Sequence, residues 1–155
     1  LYRHRVERIR ELMPHACIGA DVIVGFPTET DEYFRQSYDF IESLDLSYLH
    51  VFTYSERENT PAAEMGVSVP PAVRAARSRA LHRLGEKKRA AFYLRHQGQV
   101  REVLLESENK EGWMFGFTDN YIKVRLPYDP HLVGTLQAVR LGPQVEGGLL
   151  DASLL

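Results

Sequence analysis

Cysteine is almost absent from this chain of 155 residues, in which Cys17 is the single example. One cysteine excludes an internal disulfide and any thiolate cluster built from this chain alone, because such sites need several cysteines. We interpret Cys17 as a small apolar residue before a strand rather than as a ligand. The sequence therefore predicts neither a metal site nor a catalytic residue within the chain.

Long apolar runs are missing as well. No run approaches the roughly 20 residues that a membrane-spanning helix needs, and no basic-then-apolar signal peptide opens the sequence. With 44% hydrophobic and 26% charged residues, the composition is typical of a soluble globular protein. We predict a cytoplasmic protein with no membrane partner. Because the chain opens at Leu1 within a charged helical pattern, we also expect it to be a piece of a longer polypeptide.

The charge is unevenly placed, although the net charge is only −2. Between positions 74 and 95 a strongly basic stretch contains one acid, Glu86. Its basic residues are Arg74, Arg77, Arg79, Arg83, Lys87, Lys88, Arg89 and Arg95. This pattern indicates either a solvated helix face or a surface that steers a polyanion, and the sequence leaves both interpretations open.

The first half of the chain alternates helix and strand. Residues 1–13 have the spacing of an amphipathic helix that Pro14 ends, and residues 18–24 are an apolar run typical of a buried parallel strand. A second helix begins near Thr30 and is expected to bury Phe34, Tyr38, Ile41 and Leu44. With a second strand at 49–54, this segment predicts a strand–helix–strand unit.

The second half changes in character. After a loop at 55–70, Pro71 suits the first turn of a long helix that ends near residues 96–98. Five short strands are predicted beyond it, at 100–107, 113–118, 120–126, 135–141 and 149–154. They are numerous enough to close a small β-barrel, which removes exposed strand edges. The predicted fold class is therefore α/β followed by an all-β five-stranded barrel.

The end of the first strand is the first candidate site. Ligands of parallel α/β sheets bind beyond the carboxyl ends of the strands, where backbone groups are exposed. Gly25 permits close backbone approach, Pro27 stiffens the turn, and Glu29 could accept hydrogen bonds from a ribose or an ammonium group. A plain turn followed by an acidic helix start explains the same residues.

The second strand ends at the same predicted rim, where Arg57 is the most informative residue. A guanidinium offers fixed, bidentate donors to a carboxylate or a phosphate, so Arg57 could orient a cofactor or an RNA backbone. Pairing with a nearby glutamate, Glu29, Glu56 or Glu58, is the alternative.

Together, the two strand ends resemble the radical-SAM tRNA methylthiotransferase family. The resemblance rests on Asp21–Val24 with Gly25-Phe26-Pro27, Glu29 and Thr30, followed by Phe52, Tyr54-Ser55, Arg57 and Thr60-Pro61-Ala62. Residues 47–55 and 120–124 are most similar to its threonylcarbamoyladenosine-modifying branch, the MtaB-like enzymes. Thr28 and Asn59 stand where the family commonly has glycine, so both positions are expected to adopt positive φ.

The resemblance implies an organisation in three parts. Residues 1–69 would be the C-terminal part of a radical-SAM partial TIM barrel, residues 70–97 a connecting helix, and residues 98–155 an RNA-binding TRAM domain. The missing N-terminal domains of the same polypeptide would supply cysteines for the 4Fe–4S clusters. This fragment would be inactive alone.

The implied function is the addition of a methylthio group to C2 of N6-threonylcarbamoyladenosine beside the anticodon, with S-adenosylmethionine reductively cleaved to a radical. The cofactor-binding residues carried over from the resemblance are Val22, Val24, Gly25, Phe26, Pro27, Glu29, Phe52, Tyr54, Arg57 and Thr60. A ribosomal-protein methylthiotransferase and a non-catalytic RNA-binding module are the alternatives.

The barrel and the basic helix provide candidates for binding a tRNA anticodon stem-loop. Exposed aromatic rings beside basic residues are how small β-barrels hold unpaired bases. The RNA-binding candidates are Lys87, Lys88, Trp113, Tyr121, Lys123 and Arg125. Phe115 and Phe117 share the alternation of Trp113, and we interpret these two as core residues.

Overall fold

The computed structural model describes residues 1–155, which form two compact units, Leu1–Arg89 and Ala90–Leu155. The first unit contains α1 (Tyr2–Leu12), β1 (Gly19–Val24), α2 (Asp31–Ser43), β2 (Tyr48–Thr53), the short α3 (Pro61–Glu64) and most of α4 (Pro71–Leu94). The predicted order of helix and strand is confirmed. Among the helices, none combines the length and apolarity that crossing a bilayer requires.

Local signals explain where the elements of the first unit begin. The Thr30 hydroxyl accepts a hydrogen bond from the Tyr33 amide at 3.1 Å, and Asp31 and Glu32 place negative charge in the first turn of α2. The predicted loop at 55–70 needs one correction, because α3 lies within it. Thr60 caps α3 and Pro61 occupies its first turn, a pair of signals that favours a short helix.

Strands β1 and β2 pair in parallel, with Gly19 opposite Tyr48 and Val24 opposite Thr53. One face of this two-stranded sheet packs against the helices. The buried core residues of the unit are Val6, Ile18, Val24, Ile41, Leu44, Leu46, Leu81 and Leu84. The predicted inner face of α2 is confirmed, since Ile41 and Leu44 are buried and Phe34 and Tyr38 pack against the same core. That the sheet is part of a larger TIM barrel stays a prediction.

The second unit is a closed barrel with the strand order β3-β4-β5-β7-β6. Its strands are β3 (Val100–Leu105), β4 (Trp113–Thr118), β5 (Lys123–Pro127), β6 (Leu136–Gln144) and β7 (Leu150–Leu154). All neighbours are antiparallel except β5 and β7. The predicted five-stranded barrel is confirmed, and it is consistent with a TRAM-like domain.

One predicted strand of the barrel starts too early. Residues 120–122 form a turn rather than the start of β5, with φ of 63° at Tyr121. The Thr118 hydroxyl donates to the side chain of Asn120 at 2.7 Å and accepts from the Ile122 amide at 2.9 Å. Because these bonds satisfy the polar groups locally, the chain reverses here before β5 begins.

Candidate functional site

The ends of β1 and β2 lie side by side. Val24 is the register partner of Thr53, and the Tyr54 amide donates to the Val24 carbonyl at 2.8 Å. The predicted adjacency of the tips at Gly25 and Tyr54 is therefore confirmed. We call residues 25–30 the first tip loop and residues 54–60 the second tip loop. Both leave the carboxyl edge of a parallel sheet, where ligand sites of α/β proteins form.

Three residues of the tip loops have left-handed backbone conformations. Gly25 has φ of 77°, Thr28 has 73° and Asn59 has 60°. The expectation of positive φ at Thr28 and Asn59 is confirmed. Gly25 has a second reason to be glycine, because a β-carbon there would lie 2.8 Å from Cδ of Arg74. The backbone of the first tip loop thus rests directly on that side chain.

Arg74 of α4 holds the second tip loop. Its guanidinium donates to the Tyr54 carbonyl at 3.0 Å and to the Val69 carbonyl at 2.7 Å, and it also bonds Glu56 and Ser68. The hydrogen bonds from Arg74 and then Ser68 lower the pKa of the Glu56 carboxyl. Arg74 is 8% exposed. The basic residue therefore belongs to the interior of the first unit.

Arg77, one helical turn later, holds the first tip loop. It donates to Oε2 of Glu29 at 2.6 Å, to the Glu29 carbonyl at 3.0 Å and to Asp31 at 2.6 Å. Burial disfavours its charge, yet the bonds to Asp31 and Glu29 raise the pKa of Arg77. The same Oε2 of Glu29 accepts from the Gly25 amide at 2.8 Å. The Glu29 carboxylate thus closes its own loop.

These arginines correct both interpretations of the basic stretch at this point. Arg74 and Arg77 are neither solvated nor displayed to a polyanion, because each is buried against acceptors of the tip loops. Of the three glutamates named as alternative partners of Arg57, Glu29 and Glu56 pair with the α4 arginines instead. Arg57 itself is exposed on the second tip loop.

The predicted cofactor-binding residues of the two strands face opposite sides of the sheet. The side chains of Val22 and Val24 face the helix-covered core, so only their backbone groups could line a pocket. Ile23 and Phe52 are exposed on the opposite face, at 57% and 49%. Alternation along β1 could have identified Ile23, which was missed because a fully apolar run hides which face is covered.

The remaining predicted residues surround the tips. The rings of Phe26 and Tyr54 meet edge to face, with centroids 5.3 Å apart. Pro27 is buried, and Thr60 caps α3 at the end of the second tip loop. The Tyr54 hydroxyl is buried without a hydrogen-bond partner in the chain. Aromatic edges, strand-end backbone and an exposed guanidinium together suit a nucleoside-like ligand that carries a carboxylate.

The barrel displays a second candidate surface. Trp113, Phe115 and Phe117 of β4 are half-buried and alternate with the fully buried positions of that strand. The Lys123 ammonium lies 5.3 Å and 5.6 Å from the ring centroids of Phe115 and Phe117, and the Arg125 guanidinium lies 4.2 Å from that of Trp113. These are cation–π distances. With Tyr121, these residues form what we call the aromatic–basic face.

The core interpretation of Phe115 and Phe117 is wrong. Met114 and Thr118 occupy the interior side of β4, with 0% and 5% exposure, so the odd-numbered rings point away from the barrel core. Period-two alternation separates the faces of a strand, but it does not say which face is inside. Tyr121 is 72% exposed, and its ring lies 6.2 Å from that of Phe117.

The two predicted lysines of α4 differ from one another. Lys87 is exposed. The Lys88 ammonium instead donates to the carbonyls of Glu42 and Leu44 at 3.0 Å and 2.7 Å, where α2 ends. Burial lowers the pKa of Lys88. Cations that bond the last carbonyls of a helix stabilise it, so Lys88 has a structural task that Lys87 lacks.

No cluster of three or more histidine, cysteine and carboxylate side chains in the chain is arranged to hold a metal ion. Cys17 is half-buried near the start of β1, and burial raises the pKa of its thiol.

The chain combines an α/β unit whose two strand tips are adjacent with a β-barrel that displays the aromatic–basic face. It is 42% identical over 120 residues to the threonylcarbamoyladenosine tRNA methylthiotransferase MtaB of Rickettsia prowazekii, covering 77% of this chain and 27% of that protein. The MtaB of Aquifex aeolicus is 38% identical, over 80% of this chain and 29% of its own. The tRNA-2-methylthio-N(6)-dimethylallyladenosine synthase of Bacillus subtilis is 34% identical, over 99% and 30%.

The chain belongs to the radical-SAM tRNA methylthiotransferase family that these relatives represent. It spans less than a third of the length of the relatives named above. No protein-family model matches it. The identities to the three relatives confirm the resemblance inferred from the two strand ends.

Proposed function

We propose that the full-length protein is a methylthiotransferase that modifies tRNA, adding a methylthio group to C2 of N6-threonylcarbamoyladenosine beside the anticodon. The observation that carries the proposal is the pair of adjacent strand tips at Gly25 and Tyr54. They belong to a chain that is 42% identical to an enzyme named for that modification. The dimethylallyladenosine synthase, at 34% identity, is named for a methylthio group on a different modified base, so it supports the shared chemistry.

S-adenosylmethionine is the proposed cofactor at the tip loops. The residues proposed to surround it are the backbone of Val22, Val24 and Gly25, the rings of Phe26, Phe52 and Tyr54, and Pro27, Arg57 and Thr60 at the mouth. Glu29 is proposed to support the first tip loop from behind the mouth. Together with 4Fe–4S clusters, S-adenosylmethionine would supply the radical chemistry of the reaction. The cluster cysteines would come from the N-terminal domains of the polypeptide, because this chain contributes Cys17 alone.

The proposed RNA surface is the aromatic–basic face of the barrel, and Lys87 of the first unit is proposed separately as an RNA-contacting residue. Base stacking on an exposed ring tolerates any sequence, and a nearby cation attracts the backbone phosphate. Both kinds of group are within 6 Å of one another on β4 and β5. An anticodon stem-loop offers the unpaired bases that such a surface needs.

The proposed organisation keeps residues 1–69 as barrel strands with their helices, 70–97 as a connecting helix and 98–155 as a TRAM domain. The division by contacts falls at Arg89, inside α4. A protein that modifies tRNA would act in the cytoplasm, where we place it.

The test is enzymatic. The intact protein, with its clusters reconstituted, is incubated with reductant, S-adenosylmethionine and tRNA carrying threonylcarbamoyladenosine, and digested nucleosides are analysed by mass spectrometry. Appearance of the methylthiolated nucleoside is expected. Reaction of dimethylallyladenosine instead would replace the proposed substrate, and reaction of a ribosomal protein alone would replace the substrate class. RNA binding without methylthiolation would leave only the RNA-binding module.

A further inference from the structure

Two arginines of α4 differ from every other cation of that helix. Arg74 and Arg77 are 8% and 6% exposed, whereas Arg79, Arg83 and Lys87 are exposed. A charge removed from water is unfavourable unless it is paired and hydrogen-bonded. The acceptors of both buried guanidiniums come from the tip loops, from Asp31 at the start of α2 and from the segment that leads into α4, whereas Nε of Arg77 has no partner. The acceptors identify what each arginine holds.

Arg77 and the backbone of the first tip loop share one acceptor on Glu29. Arg77 binds Oε2 of Glu29, and that same oxygen accepts from the Gly25 amide. A carboxylate oxygen with two charge-assisted or backbone donors at 2.6 Å and 2.8 Å is already well satisfied. The Glu29 side chain is only 16% exposed. With Oε2 occupied and the side chain mostly buried, Glu29 is poorly placed to bond a cofactor as well.

Arg74 reaches both tip loops. Its guanidinium bonds the Tyr54 carbonyl, and its aliphatic stem lies where a side chain on Gly25 would otherwise be. Its ring contact with Tyr54, at 5.7 Å from the centroid, orients the aromatic residue whose hydroxyl has no partner in the chain. One helix thus fixes the backbone of the first tip loop relative to that of the second.

We propose that Arg77 and Glu29 form an internal anchor, and that with Arg74 they are positioning residues for the cofactor pocket rather than residues that touch the cofactor. Glu29 then acts through the Gly25 backbone. The part of this inference that concerns the cofactor rests on the proposed function, whereas the ordering of the loops does not. Lysine cannot replace Arg77, because one ammonium does not match three acceptors arranged around a planar fork.

The experiment compares Arg77→Gln, Arg77→Lys, Glu29→Gln and the double variant Arg77→Gln/Glu29→Gln in the intact protein. Arg79→Gln, an exposed substitution on the same helix, is the matched control. Amide hydrogen exchange of residues 25–30 and 54–60 measures loop order, and equilibrium dialysis of the cluster-loaded protein measures the affinity for S-adenosylmethionine. Circular dichroism verifies that each variant is folded.

Each single anchor variant should increase exchange in the first tip loop and weaken cofactor binding on the order of tenfold, the effect of losing one hydrogen bond to a charged group. Arg77→Lys should not rescue either quantity. The double variant should be no worse than the singles, because residues that act as one unit are not additive. Arg79→Gln should match the wild type.

Three outcomes would overturn the anchor. One is equal loop exchange in Arg77→Gln and Arg79→Gln, and another is a loosened loop with unchanged cofactor affinity. The third is a loss of affinity in Glu29→Gln that neither Arg77 variant shows, which would make Glu29 a direct ligand of the cofactor. If Arg77→Gln fails to fold, Arg77→Lys and Glu29→Gln decide together, because the anchor requires both to increase exchange in the first tip loop and to weaken cofactor binding. A wild type that does not bind S-adenosylmethionine would refute the proposed function, while loop exchange would still test the anchor.

Discussion

Gly25 and Gly66 provide a matched pair for testing whether Arg74 supports the first tip loop. Both have positive φ, 77° and 71°, but a β-carbon at Gly25 would collide with Arg74 and one at Gly66 would meet nothing within 4 Å. Alanine in this backbone region costs about 1 kcal/mol at either position. At Gly25 it must also displace the Arg74 stem, and losing one hydrogen bond of a charged group adds about 2 kcal/mol.

We therefore expect Gly25→Ala to reduce the free energy of unfolding by about 3 kcal/mol and Gly66→Ala by about 1 kcal/mol. Urea unfolding followed by far-ultraviolet circular dichroism measures both, since the helices α1, α2 and α3 all lie in the first unit. Equal unfolding midpoints for the two variants would refute the reasoning, because only the contact with Arg74 distinguishes them.

Three further predictions concern single side chains. Trp113→Ala should weaken binding of a single-stranded RNA oligonucleotide about tenfold in a fluorescence-anisotropy titration, because base stacking on a ring is lost. Leu136 is exposed on β6, so Leu136→Ala should leave the affinity unchanged. Equal losses of affinity in the two variants would contradict the stacking role. Lys87→Ala should lower the slope of log affinity against log salt concentration for the same RNA by about one. Lys88→Ala should instead lower the midpoint of urea unfolding, because the Lys88 ammonium bonds the end of α2. The reverse pattern would refute these two roles. Burial raises the pKa of the Cys17 thiol, so at neutral pH less of it is thiolate than in the unfolded chain. Iodoacetamide should therefore react more slowly with the folded than with the urea-unfolded chain, and equal rates would show that the thiol is not protected.

Much of the fold follows from local patterns. Apolar spacing and the Thr30 cap locate α2. Beyond residue 99, short strand-forming segments separated by turn residues predict a barrel with the observed number of strands. The adjacency of Gly25 and Tyr54 follows from parallel pairing of consecutive strands. The turn at 120–122 and the short α3 were missed because they depend on local side-chain hydrogen bonds, which weak strand or loop patterns conceal.

Local patterns were sufficient to predict the two strand tips, the positive-φ positions Thr28 and Asn59, and the family to which the chain belongs, because these depend on residues close together in the chain. The side chains that hold the tips and the outward face of β4 became known from the three-dimensional arrangement, because both depend on contacts between distant parts of the chain. Arg77 and Glu29 are 48 positions apart, so no local charge pattern could distinguish a buried anchor from a solvated helix face. Likewise, alternation along β4 leaves two faces, and only barrel closure assigns Phe115 and Phe117 to the outer one.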